Sequence, residues 1–481
     1  MKNLFRIVVS LFIFTLSGCF SNSDKAEQES SPPSRPNIIF AFADDWGFPH
    51  AGIYGDKVVN TPNFDSLALN GLLFNNAFCA SPSCSASRAS VLTGRYPNQI
   101  EAGANLWSYL PNKYKVYPEI LAEAGYHTGY SDKGWGPGAG WIEGWATHEE
   151  GYQDNPAGKK YDSFENFLED KSNADQPFSF WFGSTDPHRP YDAGEGIRAG
   201  KKIDDVELPS YLYNSLENKS DMLDYYNRVE RFDRDIGNII TVLKERGLLE
   251  NTFIVITSDN GHPFDRAKAN LYDAGTRVPM VIYWKDKVVQ GERDELINLL
   301  DLMATFVDLA GLPEPENVSS KSLLPLLLEN KKDDRYDRVF LSREKHYFPN
   351  QEREVSEESY PMRAVRTKDF LYIRNIKPER WPGITPLANS EMEAQLLNYE
   401  SYPKDSQVYI KGLAFGKRQA EELFDIANDP HNLNNLADDH NYLKLKNELK
   451  GKLYEWMVEV KDPMVDETEI IFDLYPSFRM K

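Results

Sequence analysis

Cysteine is scarce: Cys19, Cys79 and Cys84 are the only three in 481 residues. That excludes a disulfide-built scaffold, which needs several pairs. Positive charge is also short, with 54 Lys and Arg against 74 Asp and Glu and a net charge of −20. A chain of this sign repels polyanions at long range, which argues against a nucleic-acid partner. Any anionic ligand must therefore be captured by a local basic pocket. After the first twenty residues no apolar run is long enough to span a bilayer. Internal repeats are missing, so a solenoid or propeller is excluded. What remains is ordinary globular composition, 41% hydrophobic and 27% charged, with a high aromatic share of 13%. The length suits one large domain and a smaller partner.

The N-terminus reads as an address. Lys2 and Arg6 form a positive start, and Ile7 to Leu16 is an apolar run of about ten residues, too short to cross a membrane. Leu16-Ser17-Gly18-Cys19 resembles a bacterial lipoprotein box, in which cleavage leaves Cys19 as a lipid-bearing N-terminus; a plain secretory signal is the alternative. Residues 1–18 are then a signal peptide and 19–36, rich in Ser, Pro and Glu, a tether. Loss of Lys2 and Arg6 takes the net charge from −20 to −22. The expected location is outside the cytoplasm, lipid-anchored in the periplasm or at the cell surface.

Beyond the tether, short apolar runs alternate with helical patterns. Strands are expected at Asn37–Phe42, Tyr126–Tyr130, Phe178–Phe182, Phe253–Thr257 and Val278–Trp284. Helices are expected at Pro62–Asn70, Pro118–Ala124, Leu223–Arg246 and Ile297–Leu309. This alternation predicts an α/β fold with a mostly parallel sheet covered on both faces, over residues 37–330. In residues 335–475 the pattern changes. Val339–Ser342, Met362–Arg366 and Phe370–Arg374 read as a small antiparallel sheet, and Tyr442–Val458 as a terminal helix.

Polar chemistry collects at the carboxyl ends of parallel strands. Asp44 and Asp45 close the first strand; Asp259 and Asn260 follow the one at Phe253–Thr257. Three carboxylates and an amide suit a hard cation, calcium rather than zinc. Between them lies the most informative stretch, Cys84-Ser85-Ala86-Ser87-Arg88, continuing to Thr93-Gly94.

This C-x-A-x-R core followed by a helical run and Thr-Gly resembles the signature of type I sulfatases. Further segments fall in family order: Tyr126 to Lys133, Asp186-Pro187-His188-Arg189, Ser258 to Gly261, and Lys268 to Pro279. The resemblance implies an alkaline phosphatase-like sandwich with a C-terminal antiparallel-sheet subdomain. It also implies that a sulfatase-maturing enzyme oxidises Cys84 to formylglycine (3-oxoalanine). One hydroxyl of the hydrated aldehyde then attacks sulfur and expels the alcohol; the other loses a proton as the aldehyde re-forms and sulfate leaves. Calcium is implied at Asp44, Asp45, Asp259, Asn260 and residue 84. Arg88, one turn beyond Cys84, would hold the formylglycine hydroxyl, and Lys133 and Lys268 would bind sulfate. His188 would protonate the leaving oxygen.

Three positions depart from the pattern. Trp135 stands where the family has a histidine that handles the hydrate's proton, Asp132 replaces a glycine, and Ala86 replaces the commoner proline. Ser359 to Val365 and Asp429 to Ala437 resemble the N-sulfoglucosamine sulfohydrolase branch. With the export signal, this implies removal of sulfate from oligosaccharides of algal polysaccharides such as ulvan, or of glycosaminoglycans. Arg343, His346 and Arg363 are candidate substrate residues. Alternatives are a sulfamidase, a phosphodiesterase of the same superfamily, and a non-catalytic glycan-binding lipoprotein.

Overall fold

The strand β1, Asn37–Ala43, is buried at every residue, because it lies between two other parallel strands. It pairs with β5 (Phe178–Gly183) on one side and β6 (Thr252–Ser258) on the other. A strand covered on both faces needs apolar residues in both directions, which explains the unbroken run Ile38 to Ala43. Its two faces feed different cores. Ile38, Phe40 and Phe42 pack with Trp181 and Phe306; Ile39, Ala41 and Ala43 pack with Phe232 and Ile236 of a long helix.

In this computed structural model the described residues are 35–478, except 143, 145, 330, 332, 347–357, 383–402, 405, 407–411, 415 and 467–469. The lipidation candidate Cys19 and the signal and tether segments lie outside them. The large sheet runs β4-β3-β5-β1-β6-β7-β2-β8, with β9 also pairing β2. Here β2 is Leu72–Phe78, β3 His127–Asp132, β4 Lys159–Tyr161, β7 Arg277–Tyr283, β8 Gly291–Arg293 and β9 Ile297–Asn298. All pairings are parallel except those of β7 with β6 and β2. A second, antiparallel sheet follows the order β10-β11-β12-β13, formed by Arg338–Arg343, Met362–Thr367, Phe370–Asn375 and Glu421–Asp425. None of the described helices is long and apolar enough to cross a membrane.

Two expectations are corrected. The stretch expected as one helix over Ile297–Leu309 begins as β9, and the helix spans Asp301–Leu309. The cause lies on β2, where the register shifts between Phe74 and Ala77. That bulge divides the edge: β8 takes Leu72–Phe74, and Ile297 and Asn298 pair with Ala77 and Phe78. The long helix begins at Leu216, not Leu223. Its first turns are polar and carry no periodic signal, and they are held by Ser215, whose side chain accepts from Asn218 N–H.

Candidate active site

The C-terminal ends of β1 and β6 bring the acidic residues together. Asp45 has a positive φ of 75°, a conformation that aspartate tolerates better than most residues. Its backbone N–H donates to Asp259 Oδ1 at 3.1 Å. Its carboxylate accepts from Asn260 Nδ2 and Lys268 Nζ, each at 2.7 Å. Asp44 accepts from Lys133 Nζ at 2.5 Å.

Cys84 opens the helix Cys84–Thr93, all of whose residues are buried. Its thiol lies 3.4 Å from Asp44 Oδ1 and 3.7 Å from Asn260 Oδ1. One turn along, the fully buried Arg88 donates from Nε to Asp259 Oδ2 at 2.8 Å and from Nη1 to the Lys133 and Gly134 carbonyls. His188 stands 3.8 Å from Asp45. His346 reaches in from the loop after β10, with Nδ1 2.8 Å from Ser83 Oγ. Cys84, Asp44, Lys133, His188, Lys268 and His346 line one cavity of about 570 Å³.

Burial raises the Asp44 carboxyl, but Lys133, His188, Arg88 and Lys268 outweigh it and hold the group well below the usual carboxylate range. Asp259 stays raised, to about 6, by burial and the nearby Asp44, against the pull of Arg88. Burial and Asp259 push the Cys84 thiol well up, so the unmodified thiol is a poor nucleophile. Asp44, Asp45, Cys84 and Asp259 each offer a ligand atom within 4.8 Å of the others. A buried, oxygen-rich set with crowded carboxylates fits a hard divalent cation.

Of the three candidate substrate residues, His346 lines the cavity and the other two do not. Arg363 is fully buried in β11 between Asp462 and Glu344, with Nη1 2.7 Å from Glu344. Arg343 is fully buried too and donates to the Pro382 carbonyl at 2.7 Å. Both guanidiniums are held by contacts within and beside the second sheet, which the strand pattern alone does not reveal. Trp135 is also away from the lining: its ring is buried and Nε1 donates to the Ser85 carbonyl at 3.1 Å. Conversely, the sequence reading missed Trp107, Trp141, Arg228 and Arg231, which do line the cavity. The two arginines sit on the long helix among acidic neighbours and read there as a solvated face.

A nucleophile position at a helix start, a carboxylate cluster on parallel strand tips and flanking lysines define a hydrolase of anionic esters. The family described as Sulfatase matches residues 36–312, more than half of the chain, and the chain belongs to it: it is a sulfuric ester hydrolase. The family described as N-sulphoglucosamine sulphohydrolase, C-terminal, matches residues 262–411. Human N-sulphoglucosamine sulphohydrolase is 29% identical over 90% of this chain and 92% of its own. An ulvan-active sulfatase of Formosa agariphila is 27% identical over 92% of this chain and 78% of its own. Among solved structures, a protein in complex with its substrate D-glucosamine-2-N,6-O-disulfate superposes with a TM-score of 0.63 at 20% identity. That match covers 90% of this chain and all of the other, and shows the shared fold.

Proposed function

We propose that this sulfatase removes O-sulfate from oligosaccharides already cut from ulvan or a glycosaminoglycan. The observation that carries the reading is the convergence of Cys84, Arg88, Lys133, His188 and Lys268 with the Asp44–Asp45–Asp259–Asn260 cluster. Similarity over 92% and 90% of this chain to two ulvan-active sulfatases supports the substrate class. Export with a lipid at Cys19 is part of the proposal, since polymeric glycans are met outside the cell.

Asp44, Asp45, Asp259, Asn260 and residue 84 would hold calcium, which when bound neutralises charge on a sulfate oxygen. Oxidation of Cys84 by a maturing enzyme would supply a hydrated aldehyde as the attacking group. Arg88 is fixed by Asp259 and orients residue 84 from one turn away. Lys133 and Lys268 place two ammonium groups against the Asp44 and Asp45 carboxylates, where a sulfate also gains from them. His188 is partly exposed at the cavity and donates a proton to the departing sugar oxygen.

A second reading, sulfamidase action on N-sulfated glucosamine, is favoured by the near full-length similarity to the human sulphohydrolase. The deciding experiment co-produces the chain with a maturing enzyme and measures inorganic sulfate. The panel holds ulvan, fucoidan, carrageenan and heparan oligosaccharides and N-sulfoglucosamine. Release of O-sulfate from the ulvan or heparan oligosaccharides establishes the first reading, release from N-sulfoglucosamine alone the second, and release from fucoidan or carrageenan alone overturns the substrate class. Silence across the panel overturns both.

A further inference from the structure

Two indoles on one side of the cavity belong to neither the metal cluster nor the sulfate-binding groups. Trp107 and Trp141 both line it, both half-buried, with ring centroids 5.7 Å apart and planes at 78°. Together they form a corner of two rings. Trp107 is held at a φ of 63°, an uncommon backbone conformation for a bulky side chain that persists only where the surroundings impose it. Those surroundings are visible. Trp107 N–H donates to the Pro137 carbonyl at 3.1 Å, and the Trp107 carbonyl accepts from Phe478 N–H at 2.6 Å.

The corner is keyed to the nucleophile position. The same Pro137 carbonyl accepts from Ser85 Oγ at 2.6 Å, and the Ser85 carbonyl accepts from Trp135 Nε1. One carbonyl thus ties Trp107 to the residue next to Cys84. Trp141 is seated by glycine: a Cβ on Gly136 would lie 2.3 Å from Trp141 Cδ1, and one on Gly138 would lie 2.6 Å from the Trp135 ring. Asn155 fixes the loop backbone, donating to the Trp135 and Trp141 carbonyls. The segment 135–141 therefore packs Trp135 against the Ser85 carbonyl and presents Trp141 to the cavity.

We propose that Trp107 and Trp141 form a stacking wall for the pyranose ring that bears the sulfate. The apolar C–H face of a sugar lies on an indole face, and the corner sets which face is turned in. With the wall pinned to Ser85, a ring on it is held at a fixed distance from residue 84. The substrate class is then a cyclic sugar sulfate, discriminated from an acyclic alkyl sulfate by the wall. This rests on the glycan reading above.

Two measurements test it separately from turnover. In the first, saturation-transfer NMR is recorded with the unmatured wild-type chain and heparan and ulvan oligosaccharides, irradiating aromatic protons. Transfer is expected to the C–H hydrogens of one ring face, and to fall more than about fivefold in Trp107→Leu and Trp141→Leu. Oligosaccharide binding with no such transfer, or transfer unchanged in both variants, overturns the wall. In the second, steady-state kinetics of the matured enzyme are measured on the oligosaccharide found to release sulfate. Each Leu variant should raise KM about tenfold with kcat within about threefold, and Trp107→Phe should recover most of that loss. Equal behaviour of Phe and Leu, or a loss confined to kcat, overturns it. Absence of turnover on every glycan, with ring transfer intact, refutes the hydrolytic reading and leaves the wall standing.

Discussion

Cys84 and Trp135 carry the most at the scale of single residues. Cys84→Ala deletes one buried sulfur, so the fold survives. The expected result is sulfate release at background with the melting temperature lowered by less than about 4 °C. Turnover above background in that variant would remove the formylglycine mechanism. Trp135→His restores the residue type usual in the family but empties a fully buried site and its bond to the Ser85 carbonyl. It should destabilise the chain by about 3 kcal/mol in urea unfolding without raising turnover. A stable, faster Trp135→His enzyme would show that the indole is no packing residue.

Among the elements, the second sheet depends on the triad Glu344–Arg363–Asp462. Arg363→Met leaves two buried carboxylates facing each other, at a cost of about 3–5 kcal/mol, with KM for the sulfated substrate unchanged. A raised KM at full stability would return Arg363 to substrate binding. Elements that stand alone in the sheet centre were legible: β1 and β6 read directly as apolar runs ending in Asp44–Asp45 and Asp259–Asn260. The edge elements were not. β13 is five residues with acidic ends, Glu421 and Asp425, and owes its existence to pairing with β12. β2 was missed because Asn75 and Asn76 interrupt its apolar pattern at the bulge. In the site, the motif-bearing residues were readable through their resemblance to the sulfatase signature segments. The cavity walls were not, since Trp107, Trp141, Arg228 and Arg231 come together only through tertiary packing.

The whole molecule carries an acidic excess whose pH response turns on buried carboxyls. Burial pushes Asp301 up to about 7, against the Lys321 N–H that donates to it at 2.8 Å. The folded chain therefore holds a proton that the unfolded chain has shed above pH ~4. The stability this group contributes is complete below pH ~4 and is lost as the pH rises to 7, by up to about 4 kcal/mol. Asp301→Asn keeps an oxygen for Lys321 N–H and has no proton to lose. Its urea midpoint should exceed that of the natural chain at pH 8 and match it near pH 4; equal midpoints at both would refute the shift. Cys84 is 3% exposed and starts a helix with no exposed residue, between two strand tips. Once β1 and β6 have closed around it, residue 84 faces the cavity that it lines while the helix backbone on either side is covered. An enzyme that must bind the peptide around residue 84, as the proposed maturation requires, would act before folding, and the yield of competent molecules would be set by a race on the still unfolded chain. On that proposal, a purified, folded but unoxidised sample is a finished product that later exposure to a maturing enzyme would not rescue.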